Sequence, residues 1–386
     1  MACGNATYTT LGGICGTTAN PPGTPQTSGP ILIVSNCPET VISALVDASS
    51  PPTATNTLYS CAINLSTGTH RIRIFIWHVN QQGGARTFSV FGRISDGTGT
   101  LTDRRVEDGV ATNYAPLGRC LARVHLYGEW NPALANLSIG QTEIALWQRT
   151  NVNNNNLIGA VMEFNVVLTE AATICLRTTV STGTGAPGAW NQAVAADPAV
   201  HVRGYWPFST LTMSGGGLDV KPVLGTPAER IIQAVAKGGP ELVAFAKTAL
   251  DANGTDRGNK GCYGANLYYD FLVENTGNQS YPLYAYGVAR NVSDTFNPLG
   301  YFGPLRIHSP GSYGARSVVR FRCDTSFPGD GDVVRLTTSD GLAESPASVN
   351  PGSVTYRIAA AVAGSASAPF NIALRGIAYQ LLEPPQ

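Results

Sequence analysis

The chain is short of charge. Lys, Arg, Asp and Glu make up 13% of its 386 residues, and 25 acidic against 25 basic side chains leave a formal net charge of zero. A soluble domain usually carries about a quarter. Lysine occurs only at Lys221, Lys237, Lys247 and Lys260, and the first basic residue of either kind is Arg71. Proteins that condense nucleic acid neutralise phosphates with clustered Lys and Arg, because counterion release drives that binding. The longest basic features here are Arg71-Ile72-Arg73, Arg104-Arg105 and Arg320-Phe321-Arg322. They suit a solvated or interface face, so direct nucleic-acid binding is not expected. No apolar run reaches the ~18 residues of a membrane span. The start, Met1-Ala2-Cys3-Gly4-Asn5, has neither a basic n-region nor an apolar core, so no secretory signal is expected. A disordered chain is poor in hydrophobes and highly charged, whereas this one is 43% hydrophobic.

Catalytic signatures are missing too. The sequence has no phosphate loop of the GxxxxGK[ST] type, no HExxH, no GxSxG elbow and no kinase set. Gly183, Gly185 and Gly188 have GxGxxG spacing, but Pro187 interrupts it and a loop is expected. The histidines His70, His78, His125, His201 and His308 have no metal-ligand spacing. Asp251-Ala252-Asn253-Gly254-Thr255-Asp256 opens like a calcium loop, but Asp256 stands where Gly is needed and Cys262 where Glu is needed. A helix cap and turn is the reading there, and Asp330-Gly331-Asp332 reads as a hairpin turn. Glu163, Glu170 and Glu129 are the carboxylates a glycosidase would draw on, yet nothing in their spacing fixes a pair in one cleft. We therefore expect no catalytic residue, no metal and no cofactor. The eight cysteines, Cys3, Cys15, Cys37, Cys61, Cys120, Cys175, Cys262 and Cys323, avoid CxxC spacing and are spread as buried thiols or long-range disulfides would be, with free thiols the favoured reading where no secretory signal is expected.

What the sequence does have is strand pattern. Residues 1–30, rich in Gly, Pro, Thr and Asn, read as an extended N-terminal arm. Strand candidates then follow at Ile31–Ser35, Thr40–Val46, Leu58–Leu65, His70–Asn80, Arg86–Ile94, Arg119–Tyr127, Gln141–Arg149, Leu157–Leu168, Ala172–Val180 and His201–Trp206. In His70–Asn80, Ile72, Ile74 and Ile76 alternate with Arg71, Arg73, Phe75 and Trp77. The turn residues Gln81-Gln82-Gly83-Gly84 predict a hairpin to the next strand. Thr226–Leu250 breaks the series. Thr226-Pro227 looks like an N-cap with proline following, and the apolar spacing predicts two short helices kinked at Gly238-Gly239-Pro240. A second strand series fills the remainder. The fold expected is all-β: an arm at 1–30, a β-sandwich over 31–215, a helical linker over 216–260, and a second, jelly-roll-like sandwich over 261–386.

Aromatic residues supply the one candidate contact face. Tyr284 and Tyr286 are two apart and share a strand face, with Tyr281 nearby and Tyr268 and Tyr269 in the preceding strand. Amphipathic rings stack on sugars or fill interfaces.

An all-β chain rich in Gly, Thr, Asn and Ala, nearly free of lysine, with an extended arm and no catalytic motif, resembles virion structural proteins built on β-sandwich or jelly-roll domains. Residues 31–210 and 262–382 carry the resemblance, which is one of architecture. It implies a coat, minor capsid, cement, penton or spike subunit located in the virion. Its partners are then copies of itself and other virion proteins, with a host glycan as a further ligand. Small RNA-virus coats often have a basic arm, and the lack of Lys or Arg in residues 1–70 argues against a genome-condensing coat. The rival readings are a carbohydrate-binding adhesin or receptor-binding fibre domain, and a β-sandwich glycoside hydrolase or lyase.

Overall fold

The structure of the protein, a computed structural model, describes residues 18–48, 56–185, 202–221, 228–236, 238–246, 258–288, 302–308, 316–320, 333–335, 347–362, 364 and 370–376. The chain is all-β and divides into two compact units. One comprises Ser28–Ser209 with Phe245–Ala265. The other comprises Met1–Thr27, Thr210–Ala244 and Asn266–Gln386. The unit boundaries therefore cut the expected 216–260 linker rather than enclosing it. Among the described residues each unit is a pair of sheets.

The Ser28–Ser209 unit pairs a seven-stranded sheet with a four-stranded one. The larger runs Arg203–Trp206, Ile31–Ser35, Gly68–Gln81, Leu157–Leu168, Gly99–Ala111, Leu137–Ile139, with Thr40–Ile42 also beside Gly68–Gln81. The smaller runs Ile144–Val152, Arg86–Ile94, Ala172–Ser181, Thr57–Leu65. Successive strands cross from one sheet to the other, which is how a sandwich buries both inner faces. The expected hairpin at Gln81–Gly84 is therefore not formed. Gly68–Gln81 and Arg86–Ile94 belong to different sheets, and the turn is a corner between them. Asn80 holds that corner, donating from Nδ2 to Gly84 O at 2.8 Å and Val152 O at 2.7 Å.

The alternation in Gly68–Gln81 falls as expected. Ile72, Ile74 and Ile76 enter the core between the sheets with Ile158, Ala160, Met162, Phe164, Val90, Leu176 and Val180. The opposite face, with Arg73, Phe75 and Trp77, is buried under a second layer. Part of that layer is an α-helix, Tyr114–Tyr127, where a strand was expected at Arg119–Tyr127. The alternating apolar residues there are also spaced for a helix. Leu117 and Leu121 are four apart and pack onto the sheet at Gly109 and Gly159. A Cβ at Gly159 would stand 2.9 Å from Leu121 Cδ1 and 3.1 Å from the Trp77 ring, so the close approach depends on glycine. Gly128, at φ 72, ends the helix in the left-handed conformation. The rest of the layer is residues 258–265, where the Tyr263 ring stacks on Phe75 at 6.2 Å.

The other unit pairs two six-stranded sheets. One runs Thr18–Ala19, Glu229–Ala234, Phe370–Gly376, Tyr281–Val288, Val333–Arg335, with Ala347–Val349 also on Tyr281–Val288. The second runs Arg316–Arg320, Phe302–His308, Gly352–Ala360, Asn266–Asn275, Thr210–Asp219, Gln26–Ser28. Leu211, Met213, Ile231, Ile232, Leu267, Tyr269, Phe271, Ile358, Ile372 and Leu374 are buried. Helix in Thr226–Leu250 is confined to Pro240–Ala244 among the described residues, because Glu229–Ala234 is a strand. Ile231 and Ile232 are adjacent and both buried, as in a strand covered on both faces rather than a one-sided helix. Of the arm, residues 1–17 lie outside the described residues, and Thr18–Ala19 and Gln26–Ser28 are edge strands.

Cys37, Cys61, Cys175 and Cys262 are buried thiols, whereas Cys120 is disulfide-bonded, against expectation. Cys3, Cys15 and Cys323 lie outside the described residues.

Candidate functional site

Four clusters gather the residue types that chemistry needs. The first is a serine and a histidine. Ser35 on Ile31–Ser35 places Oγ 3.0 Å from His78 Nε2 on the adjacent Gly68–Gln81. His78 Nδ1 donates to Pro38 O at 2.7 Å, so Nε2 of the neutral ring is left to accept from Ser35. Thr178 Oγ1, from the opposite sheet, is 2.7 Å from Ser35 Oγ. Nucleophile, base and orienting group are thus in the order that acyl transfer uses. However, Ser35 and His78 are both 0% exposed. No substrate reaches them, and the trio acts as a polar tie between the sheets.

The second cluster surrounds Glu163, one of the carboxylates singled out in the sequence. It stands opposite Arg73 in the strand register and is 3% exposed. Arg73 Nε and Nη2 both reach Glu163 Oε1 at 2.6 Å, and Arg71 Nη2 reaches Oε2 at 2.7 Å. Arg73 also donates to Gly264 O at 2.8 Å and lies 3.5 Å from His125 Nδ1. Glu170 is exposed and lies against Gly97, while Glu129 pairs with Arg123 at 2.7 Å. The three sequence-flagged carboxylates therefore have separate partners.

The third cluster was not legible in the sequence. Arg177, with a side chain 0% exposed, forks onto both oxygens of Glu143 at 2.6 and 2.5 Å. Burial pushes the Glu143 carboxyl up, partly offset by Arg177. Burial also pushes the neighbouring Cys175 thiol up, against the hydrogen bond from Arg93. A thiol raised in this way is a poor nucleophile. Glu241 is similar: it is fully buried, its Oε1 accepts from Val235 N at 3.1 Å and from Tyr269 Oη at 2.9 Å, and burial raises its pKa.

The fourth cluster lies on an open face. On Asn266–Asn275 the odd-numbered Leu267, Tyr269, Phe271 and Val273 are buried, and the even-numbered Tyr268, Asp270, Leu272 and Glu274 point outward. Arg357 on the neighbouring Gly352–Ala360 forks onto Asp270 at 2.6 and 2.7 Å, and its Cζ lies 5.0 Å from the centre of the Tyr268 ring. That hydrogen bonding raises the Arg357 pKa further. Leu272 is 46% exposed with exposed Thr355 opposite it, and exposed Ser214 stands opposite Asp270. Sequence reasoning named Tyr268 and missed its pairing with Arg357, because the cross-strand register is not local.

The aromatic residues expected to form a contact face lie on Tyr281–Val288, with Tyr281 opposite Val349, Tyr284 opposite Arg375 and Tyr286 opposite Ala373. Tyr284 and Tyr286 share one strand parity, and Tyr281 shares the other with buried Leu283. Residues 251–257 of the calcium-like loop, Asp330, Asp332, His201 and Gly188 lie outside the described residues. Among the described residues no group of three or more His, Cys, Asp or Glu side chains is placed to hold a metal ion. None of the helices described is long and apolar enough to cross a membrane.

The chain matches no protein-family model. No curated protein matches it either. Among solved structures it is similar to the tandem CBM51 modules of the family 98 glycoside hydrolase from Streptococcus pneumoniae, at 9% identity over 82% of this chain and 84% of that one, with a TM-score of 0.16. It is also similar to the tandem CBM22 domains of Xyn10C from Paenibacillus barcinonensis, at 9% identity over 92% and 99% of the two chains, with a TM-score of 0.15. Fet3p, a multicopper oxidase that functions in iron import, follows at 8% identity over 76% and 51%, with a TM-score of 0.11. Likenesses this slight carry no functional argument.

Proposed function

We propose that this chain is a non-enzymatic structural subunit of a virus particle, acting through contacts with copies of itself and with other virion proteins. What supports the reading is where the polar chemistry lies. Ser35–His78–Thr178 and Arg73–Glu163 are buried inter-strand ties, out of reach of any substrate, and Arg177 is sunk against Glu143 just ahead of Ile144–Val152. The open face instead offers Tyr268, Leu272, Ser214 and Thr355 around an ion pair that neutralises itself. The hydroxyl-bearing part of this surface, away from the exposed Glu274 at the strand end, can hydrogen-bond a neighbour with little desolvation cost. The test is the mass and shape of the purified full chain by light scattering and negative-stain imaging. Shells, rings or compact multimers are expected. A monomer at every accessible concentration counts against self-assembly.

A second reading is a carbohydrate-binding adhesin or fibre domain, favoured by the half-buried Tyr268 beside the Arg357–Asp270 fork. A glycan array separates the two readings. Binding lost in Tyr268→Ala supports this second one, and an array without signal removes it.

A further inference from the structure

We infer that residues 18–28 are an exchangeable arm, received by a second copy of this chain on the same two sheet edges that the arm closes in its own. The inference rests on the subunit reading above and adds the partner and the means of contact.

The edges define the site. Among the described residues, Glu229–Ala234 ends one sheet of its unit without the arm, and Thr210–Asp219 ends the other. An open strand edge presents unpaired N–H and C=O groups and is a template for another chain. Here both edges are closed by one short stretch of sequence. Thr18 and Ala19 run parallel to Ile231 and Ile232, and Gln26–Ser28 lies beside Thr210–Asp219. The closure is slight, two residues on one edge and three on the other. Ala19, Asn20, Gln26, Thr27 and Ser28 are exposed, and Pro21 is the buried residue of the stretch. Little apolar surface therefore opposes release.

The chain is also built to move as a unit. Pro21, Pro22, Pro25 and Pro30 fix φ and hold a released arm extended, so less entropy is lost when it orders on a neighbour. Only Gly29 and Pro30 separate Gln26–Ser28 from the next strand, Ile31–Ser35. Gly29 has φ 83, the left-handed region that an L side chain avoids. A hinge of two residues is short, and short hinges favour exchange. Exchange remakes the same edge contacts on another copy. The balance is then set by the hinge and by protein concentration.

The test uses the full chain. Light and heavy-nitrogen copies, each with a photo-crosslinking residue in place of exposed Ala19, are unfolded and refolded together, then irradiated. Mass spectrometry reads crosslinks from position 19 to Glu229–Ala234. With free exchange, about half should join light to heavy. Assembled particles with same-isotope crosslinks only would overturn the exchange and leave the subunit reading standing. Mixed crosslinks without particles larger than a dimer would uphold the exchange and sink the subunit reading. Same-isotope crosslinks without assembly would sink both. A second variant, Gly29→Ala, penalises the closed hinge in each copy. It should raise the dimerisation constant roughly 25-fold, about fivefold per hinge. An unchanged or lower constant overturns the exchange.

Discussion

The two units differ in how deep they set their ion pairs. In the Ser28–Ser209 unit three arginines are sunk, beside surface pairs such as Arg105–Asp103, Arg123–Glu129 and Arg149–Asp108. Arg73, Arg177 and Arg203 are each at most 3% exposed and are satisfied by Glu163, by Glu143, and by the carbonyls of Cys37 and Leu58. The outer side of its seven-stranded sheet is covered by Tyr114–Tyr127 and residues 258–265. In the other unit the Asp270–Arg357 pair lies on an uncovered sheet face, with its two side chains 28% and 39% exposed. Pairs of the same chemistry therefore do different work. A buried pair is hard to break singly, because its partner is left charged in a poor solvent. A half-exposed pair contributes little to stability and stays accessible to a partner.

Breaking the deepest pair gives the largest expected effect. Glu163→Gln removes the charge that balances Arg71 and Arg73, and should cost about 3–5 kcal/mol. Urea unfolding of the variant against the parent reads this directly. A loss under ~1 kcal/mol would mean that the two units do not differ as described. Overfilling the covered face comes next. Gly159→Val puts carbon where Leu121 and Trp77 already pack, and about 1–3 kcal/mol of destabilisation is expected, seen as a lowered Tm.

A buried carboxyl in the second unit sharpens the comparison, because Glu241 accepts from neutral donors, Val235 N–H and Tyr269 Oη. Burial raises its folded pKa above the unfolded value. Over the interval between them the folded chain holds more protons, so the Glu241 contribution is full below the unfolded pKa and is lost as pH rises through the folded one. Glu241→Gln keeps a neutral acceptor for Val235 N–H and Tyr269 Oη. It should match the parent in acid and exceed it at higher pH. Parallel stability curves across pH would show that Glu241 does not titrate there.

Much of the fold was legible because it follows from local periodicity. The alternation through Ile72, Ile74 and Ile76 is set by strand geometry alone, and the sandwich class followed from many such runs. The misreadings have physical causes. Arg119–Tyr127 has apolar residues at both strand and helix spacings, and Gly109, on the preceding strand, and Gly159, far away in sequence, make room for the helix. Gln81–Gly84 has hairpin chemistry, yet the core requires the chain to change sheets there. The candidate face was half legible. Tyr268 was noticed as an aromatic residue, but Arg357 is 89 positions away and only the strand register brings it to the ring. Glu143 and Arg177 gave no local signal for the same reason.

The smallest effect is expected at the open face, and there it separates stability from function. Asp270→Asn removes the carboxylate charge while Arg357 keeps water on its exposed side. A loss of under about 1 kcal/mol is expected, shrinking further as salt is added. The same variant leaves Arg357 without its partner on a face whose other charge on Asn266–Asn275 is the exposed carboxylate of Glu274. If that face meets a neighbouring subunit, desolvating the lone cation on assembly is costly, and assembly should weaken far more than folding does. Light scattering beside urea unfolding on one preparation measures both. Equal, small effects on the two would mean that the face carries no contact, and the uncovered sheet would then differ from the covered one only in what coats it.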